Sequence, residues 1–217
     1  IVATVLGVVV MAMLAYPLSR PNYKYKKIAT FFIFFTMLFS GGLIPTYIWI
    51  TRYLHLGDTI WVYILPCLVN AFHVIVIRSF FQGLPQALME SAKIDGASEL
   101  QTFFKIVMPL SKPVIATISL LTLLSRWNDW NTALIYIKSS NLYSLQYLLQ
   151  KILREAEFVK NMAESSPVAG VDLDLSNLPS VTIRFAMCMV AAGPMLIIFP
   201  FFQKYFAKGL TVGAVKG

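Results

Sequence analysis

"ESAKIDGASELQTFFKIVMPL", residues 90–110, is a polar, charged stretch of helix formers set between long runs of hydrocarbon side chains. Just upstream, Pro85 is expected at a first helical position, where its fixed φ and missing N–H cost nothing. Gln86 to Ile94 then read as a helix. Gly96 supplies a bend or a C-terminal cap, and Ser98 with Gln101 three residues on forms a capping box that starts a second helix. Pro109 and Pro113 lead into the next apolar run. The pattern is helix, glycine break, helix. Ala87, Met89, Ala92 and Ile94 make no wide lipid-facing stripe, and Glu90, Lys93 and Asp95 require water or a protein partner. A short wet helix held between apolar runs suits a rigid docking knob.

The flanks decide the fold class. Of 217 residues, 58% are hydrophobic and 13% charged, against about 25% charged in an ordinary soluble domain, and the mean hydropathy is +0.70. This is a membrane protein. Segments 28–50, 59–80, 110–135 and 181–206 each reach the roughly 20 apolar residues that cross a hydrocarbon core as a helix, and residues 1–16 are apolar from the first. The expected fold is all-α: a polytopic transmembrane helix bundle of five spans, one domain over 1–217, with a polar loop at 82–109 and a second loop at 138–180 on the other side. The chain opens apolar and without Met, so a further span ahead of it, six in all, is expected. An uncleaved signal peptide is the alternative, disfavoured because residues 1–17 carry neither a basic n-region nor a small-residue cleavage site.

Basic residues set the expected orientation, because Lys and Arg in short flanking loops stay in the cytoplasm. They cluster at Arg20, Lys24, Lys26 and Lys27, at Arg78, Lys93, Lys105 and Lys112, and at Lys204, Lys208 and Lys216. Residues 17–27, 78–112 and the C-terminus should therefore face the cytoplasm. The "TRYLHLGD" turn and the long loop, with Glu155, Glu157, Glu164, Asp172 and Asp174, should face outward. The net charge of +8 is thus membrane topology, and the aromatics are not interleaved with the basic residues as a nucleic-acid surface requires. Cys67 and Cys188 read as packing residues within spans, and His55 and His73 lack neighbours at metal-ligand spacing. No metal site and no catalytic constellation is expected.

Glu90-Ser91-Ala92, three residues, Gly96, nine residues, then Ile106-Val107-Met108-Pro109 resembles the cytoplasmic loop signature of permease subunits of binding-protein-dependent bacterial ABC importers. Ser91 stands where the family has Ala and Met108 where it has Leu, both small changes in volume. The closing "YFAKGLTVGAVKG" and "RWNDWNTALIY" are similar to the carbohydrate branch, in particular the second permease subunit of the maltose importer, and "FSGGLIPTY" to permeases for complex oligosaccharides, including uronate-containing ones such as alginate. The resemblance covers essentially the whole chain. It implies a coupling helix seated in a cleft of a cytoplasmic ATPase subunit, with Glu90, Ser91, Ala92, Asp95, Gly96, Ile106 and Pro109 as the coupling residues. The implied partners are ATPase subunits that bind ATP and Mg, a second and different permease subunit, an extracytoplasmic solute-binding protein, a sugar, and the lipid of the bacterial inner membrane. The chain has no Gly-x-x-x-x-Gly-Lys-Ser/Thr phosphate loop of its own, so hydrolysis belongs to a partner and no cofactor to this chain.

"RWNDWN" supplies Arg126, Trp127, Asn128, Asp129, Trp130 and Asn131, groups that are costly in hydrocarbon and should face a bundle interior or a wet cavity. Arg126 and Asp129 can pair at i, i+3, and tryptophan faces stack on sugars. The segment is a substrate-path candidate, with an interfacial aromatic belt as the alternative. Arg78 and Arg184 are expected to snorkel to an interface, although an inward-pointing Arg184 would favour an acidic sugar. Gly41, Gly42 and Pro45, and Gly193 with Pro194, are expected kinks. Apolar spacing predicts an amphipathic helix over 142–157, expected to lie on the membrane or pack on the spans, or else, with "SSPVAGVDLDLSNLP", to offer a docking surface for the binding protein. A secondary transporter driven by an ion gradient is the competing class. It calls for intramembrane carboxylates, and Asp129 alone fits.

Overall fold

A computed structural model describes residues 1–165 and 180–214. Helix α1, Val2–Ser19, ends where Arg20 turns extended at φ −73°, ψ 136°, as expected of a residue that precedes a proline, here Pro21. Helix α2, Lys26–Leu38, stops at Phe39. Helix α3, Leu43–Ile48, starts from Gly42 at φ +84° and runs on as a π turn, Trp49–Tyr53. Two 3-10 turns, Ile60–Tyr63 and Leu65–Cys67, lead to α4, Ala71–Gln82. Then come α5, Gln86–Ile94, and α6, Glu99–Thr102. A π turn, Phe103–Val107, and α7, Met108–Leu110, join α6 to α8, Lys112–Trp127. The remainder is α9, Asn131–Tyr136, α10, Leu145–Ser165, and α11, Ser180–Ala214.

Among the described residues two helices, Val2–Ser19 and the Phe185–Phe202 part of α11, are each long and apolar enough to cross a membrane, and counting three bent pairs as single spans gives five. The bends answer to local chemistry. Residues 28–50, expected as one span kinked at Gly41, Gly42 and Pro45, are two helices turned by 113°, because Gly42 adopts a left-handed φ that L side chains resist. Residues 59–80 bend by 46° where the Asn70 side chain accepts the His73 N–H at 3.1 Å and starts a new helix. Residues 99–110 meet α8 at 81°, and 110–135 divides again at Asn128 to Trp130 between α8 and α9.

The core joins α1 to α4 and α8. Val8, Met11, Ala12 and Ala15 of α1 pack with Val74, Ile77 and Phe81 of α4, with Phe103 and Val107 of the π turn, and with Val114 and Ile118 of α8. Close approach depends on Gly7, where a Cβ would stand 3.1 Å from the Leu68 carbonyl oxygen. Helix α11 lies along α8. Phe185, Met189, Leu196 and Ile197 of α11, like Phe31, Phe32 and Phe35 of α2, are exposed, as suits helices whose outer face meets lipid or another membrane subunit.

A smaller cluster closes the opposite end, with Ile50, Val62 and Ile137 at its centre. There Asp58, at φ +54°, clasps the chain after α9. Its Oδ1 accepts the Lys138 and Ser139 N–H groups at 2.9 and 2.8 Å, its Oδ2 accepts the Ser139 hydroxyl at 2.6 Å, and its own N–H donates to the Tyr136 carbonyl at 2.9 Å. The predicted 142–157 helix starts three residues later and runs further, as α10. The "SPVAGVDLDLSNLP" part of the candidate docking loop, the side chain of Arg184 and the last three residues lie outside the described residues.

Candidate functional site

The helix–glycine–helix segment folds as a capped pair. Pro85 precedes α5 as its N-cap at φ −59°, ψ 121°, one position earlier than expected. It fits there because the N-cap has no helical ψ, and φ is all that a proline ring dictates. The C-terminus of α5 closes in a Schellman motif. The Ala97 N–H donates to the Ala92 carbonyl at 2.9 Å and the Gly96 N–H to the Lys93 carbonyl at 3.1 Å, with Gly96 left-handed at φ +79°. The space a Gly96 Cβ would enter is open, so backbone conformation alone requires glycine here. The capping box forms as expected: Ser98 Oγ accepts the Gln101 N–H at 3.2 Å, and Gln101 Oε1 accepts the Ser98 N–H at 2.9 Å.

Ala92 turns inward and is buried, whereas Glu90, Ser91, Lys93, Asp95 and Gly96 stand exposed, and Ile94 is 86% exposed. Ile106 and Pro109 lie apart from this tip, on the π turn and on α7, with Ile106 half-buried and Pro109 exposed. Pro109 explains the π turn: it offers no N–H to the Lys105 carbonyl four residues back, and the Met108 N–H reaches Phe103 instead.

Sequence reading missed the base of this knob. The Tyr16 hydroxyl of α1 donates to Glu99 Oε2 at 2.7 Å, across 83 residues of sequence. Arg20 contacts both the Tyr16 hydroxyl and Met89 Sδ, its guanidinium carbon lies 4.4 Å from the Tyr16 ring centre, and its Nη2 stands 3.9 Å from Glu99 Oε2. Tyr16 and Phe103 pack with ring centres 5.2 Å apart. Arg78, expected at an interface, donates from Nε to the Leu18 carbonyl at 3.0 Å. No local pattern marks the cluster, since Tyr16 and Arg20 of α1 meet Met89, Glu99 and Phe103 from elements distant in sequence.

The 126–131 segment is gathered only in part. Arg126 Nη1 stands 3.9 Å from Asp129 Oδ2, the expected i, i+3 pair, and Nη2 makes a long 3.5 Å contact with the Cys67 carbonyl. Asp129 also accepts the Thr132 N–H at 3.0 Å and its hydroxyl at 2.7 Å, which caps α9. The Asn128 amide donates to the Leu124 carbonyl at 3.0 Å. The Trp127 indole donates to Ala191 of α11 at 2.7 Å. Trp130 lies beneath Arg154, whose guanidinium carbon is 5.4 Å from its ring centre, and Asn131 is exposed. Among the described residues no three His, Cys, Asp or Glu gather where they could hold a metal.

Residues 3–212 match the family described as "Binding-protein-dependent transport system inner membrane component". The chain belongs to that family. The permease is 40% identical over 223 residues to the polygalacturonan/rhamnogalacturonan transport system permease protein YtcP of Bacillus subtilis, covering 100% of this chain and 73% of that protein. It is 34% identical over 216 residues to the arabinooligosaccharides transport system permease protein AraQ of the same organism, covering 99% of this chain and 69% of the relative. A solved structure described as a bacterial ABC transporter involved in the import of the acidic polysaccharide alginate superposes at a TM-score of 0.73 with 30% identity, over 94% of this chain and 71% of that one. This permease is therefore a polytopic inner-membrane transport component, and ATP is bound and hydrolysed by a separate subunit. The ion-driven alternative is set aside by that membership.

Proposed function

We propose that this permease carries a uronate-containing oligosaccharide across the bacterial cytoplasmic membrane, paired with a second, non-identical permease and moved by an ATPase that seats α5 in a cleft. The observation that carries the reading is the capped knob, which holds Glu90, Ile94 and Asp95 in solvent on a helix closed by Gly96. An apolar tip flanked by carboxylates, rising from a membrane bundle, suits a protein groove and not lipid. The basic clusters put this knob and the C-terminus in the cytoplasm, and α10 with the Asp58 clasp on the side of the binding protein. Two of the proteins this chain resembles are described by acidic glycans, polygalacturonan and alginate, which favours a uronate over a neutral sugar. Within 126–131, Trp130 and Asn131 face the path, while Arg126, Trp127 and Asp129 hold the segment in shape.

The experiment is uptake into proteoliposomes that hold the whole transporter, offered oligogalacturonides, alginate oligosaccharides and neutral arabino-oligosaccharides with the cognate binding protein. Uptake of uronates above the neutral sugar, abolished in Glu90→Lys with the chain still inserted, is expected. Preference for the neutral sugar overturns the substrate, and normal uptake by Glu90→Lys overturns the coupling role.

A further inference from the structure

The knob is useful only if its displacement reaches the bundle, and the bonds that could carry it are few. Helices α5 and α6 are short, joined through Gly96, and largely exposed. The polypeptide connects them to the bundle at two places only: Gly83 to Pro85 after α4, and the π turn before α8. Both connections meet the core cluster that α1 centres through apolar packing, Leu84 in one and Phe103 and Val107 in the other. A third link adds polar contacts to α1. Arg20, at the end of α1, touches α5 at Met89 and pairs with Glu99 of α6, while Tyr16, one helical turn earlier, donates to the same carboxylate and packs on Phe103.

The link is placed to resist both pull and push. Arg20 is held over the Tyr16 ring, its side chain is only 21% exposed, and its Nε is buried without a partner among the described residues, so it has little freedom to swing away into water. The Glu99 side chain is 73% exposed, but its backbone is fixed from below as the first residue of α6, directly behind the Ser98 capping box, where a carboxylate also suits the helix dipole. Arg78 ties the same end of α1 to α4 through the Leu18 carbonyl. An α5–α6 unit moved by a partner must therefore carry the end of α1 with it or break the Arg20–Glu99–Tyr16 contacts.

We propose that Tyr16, Arg20 and Glu99 form the strut that passes motion of the coupling knob to α1, with Arg20 and Glu99 as positioning residues for transport. The proposal rests on the coupling reading above. Loss of the strut leaves the knob free to follow the ATPase while α1 lags, so hydrolysis continues and transport falls.

The test uses the full transporter with its ATPase, second permease and binding protein in proteoliposomes, comparing Arg20→Glu, Glu99→Arg, the double exchange, and the near-isosteric pair Glu99→Gln and Tyr16→Phe. Three quantities are read: ATPase copurifying with the permease, ATP hydrolysed, and sugar moved per ATP. Each single charge reversal should lower sugar per ATP by about five- to tenfold, the low end of coupling factors between sites, with copurification and hydrolysis kept. The double exchange should recover most of the ratio. If the reversals fail to insert, Glu99→Gln and Tyr16→Phe carry the same expectation in smaller measure. An unchanged ratio in every single variant, or a double exchange no better than the worse single, overturns the strut. A wild-type permease that does not copurify an ATPase overturns instead the coupling reading beneath it.

Discussion

The Trp127 indole N–H donates to the Ala191 carbonyl at 2.7 Å, joining α8 to α11 across 64 residues of sequence. The bond falls beside Pro194, which α11 carries inside a continuous helix rather than at the expected kink. A proline inside a helix leaves the carbonyl four residues back, here Val190, without its donor, and neighbouring helices are what make such breaks tolerable in lipid. Trp127 thus spends its polar atom inside the bundle, in keeping with the shape-holding role proposed for it.

Trp127→Phe keeps a ring in place and removes the donor. The expected loss is about 1 kcal/mol, read as a lower melting temperature of the solubilised transporter with the sugar concentration for half-maximal uptake unchanged. Trp130→Ala should do the reverse, raising that concentration with little change in melting.

Asp58 should make the outer clasp insensitive to pH over the physiological range. The Ser139 hydroxyl, then the Ser139 and Lys138 N–H groups, hold its carboxyl below the ordinary value of 3.8. A depressed carboxylate contributes fully above its unfolded pKa, and the contribution is lost as pH falls through the folded-state value, below the usual carboxylate range. Hydrogen exchange at Lys138 and Ser139, corrected for intrinsic rates, should show protection that is flat from about pH 7 to pH 4 and absent throughout in Asp58→Ala. Protection that fades near pH 5 would contradict this.

Gly96 should tolerate replacements in the order of their ease in left-handed backbone. With open space around the position, strain at φ +79° is the whole cost, about 1–2 kcal/mol for an ordinary L residue and less for Asn. Gly96→Asn should therefore retain more ATPase association than Gly96→Ala, and Gly96→Val least, as measured by copurification.

Much of the knob was legible because its signals are local. Gly96, Ser98 and Gln101 sit within six residues and each has one conformational use; the structure places all three as cap, break and box. Arg126 and Asp129 were legible for the same reason, being one helical turn apart. The five apolar runs gave the membrane class, and Gly41, Gly42 and Pro45 marked the bend in 28–50, but the bend in 59–80 was hidden, because Asn70 signals a new helix only once its bond to His73 is seen. The strut was invisible. Tyr16, Arg20 and Glu99 are unremarkable in their own segments and acquire a role only when α1 and α6 are brought together.

Gly7 should be intolerant for a reason opposite to that at Gly96. Its conformation is ordinary helix, but a Cβ there would stand 3.1 Å from the Leu68 carbonyl oxygen, and backbone cannot yield as a side-chain tip can. Gly7→Ala should lower stability by about 1 kcal/mol and Gly7→Leu by about 3, read as melting of the solubilised protein. Equal melting of the two variants would contradict the tight approach of α1 to the Leu65–Cys67 turn.

The central claim is that the polar knob at 86–102 docks on the ATPase, and Ile94 at its tip, 86% exposed, is the residue on which to test it. In a permease with Cys67 and Cys188 replaced by serine, Ile94→Cys should cross-link to the ATPase subunit in native membranes through a short bifunctional thiol reagent, while a cysteine at the exposed Phe35 of α2 should not. Cross-linking from Phe35 and none from Ile94, or labelling of Ile94→Cys by a lipid-dissolved probe in the assembled transporter, would contradict it.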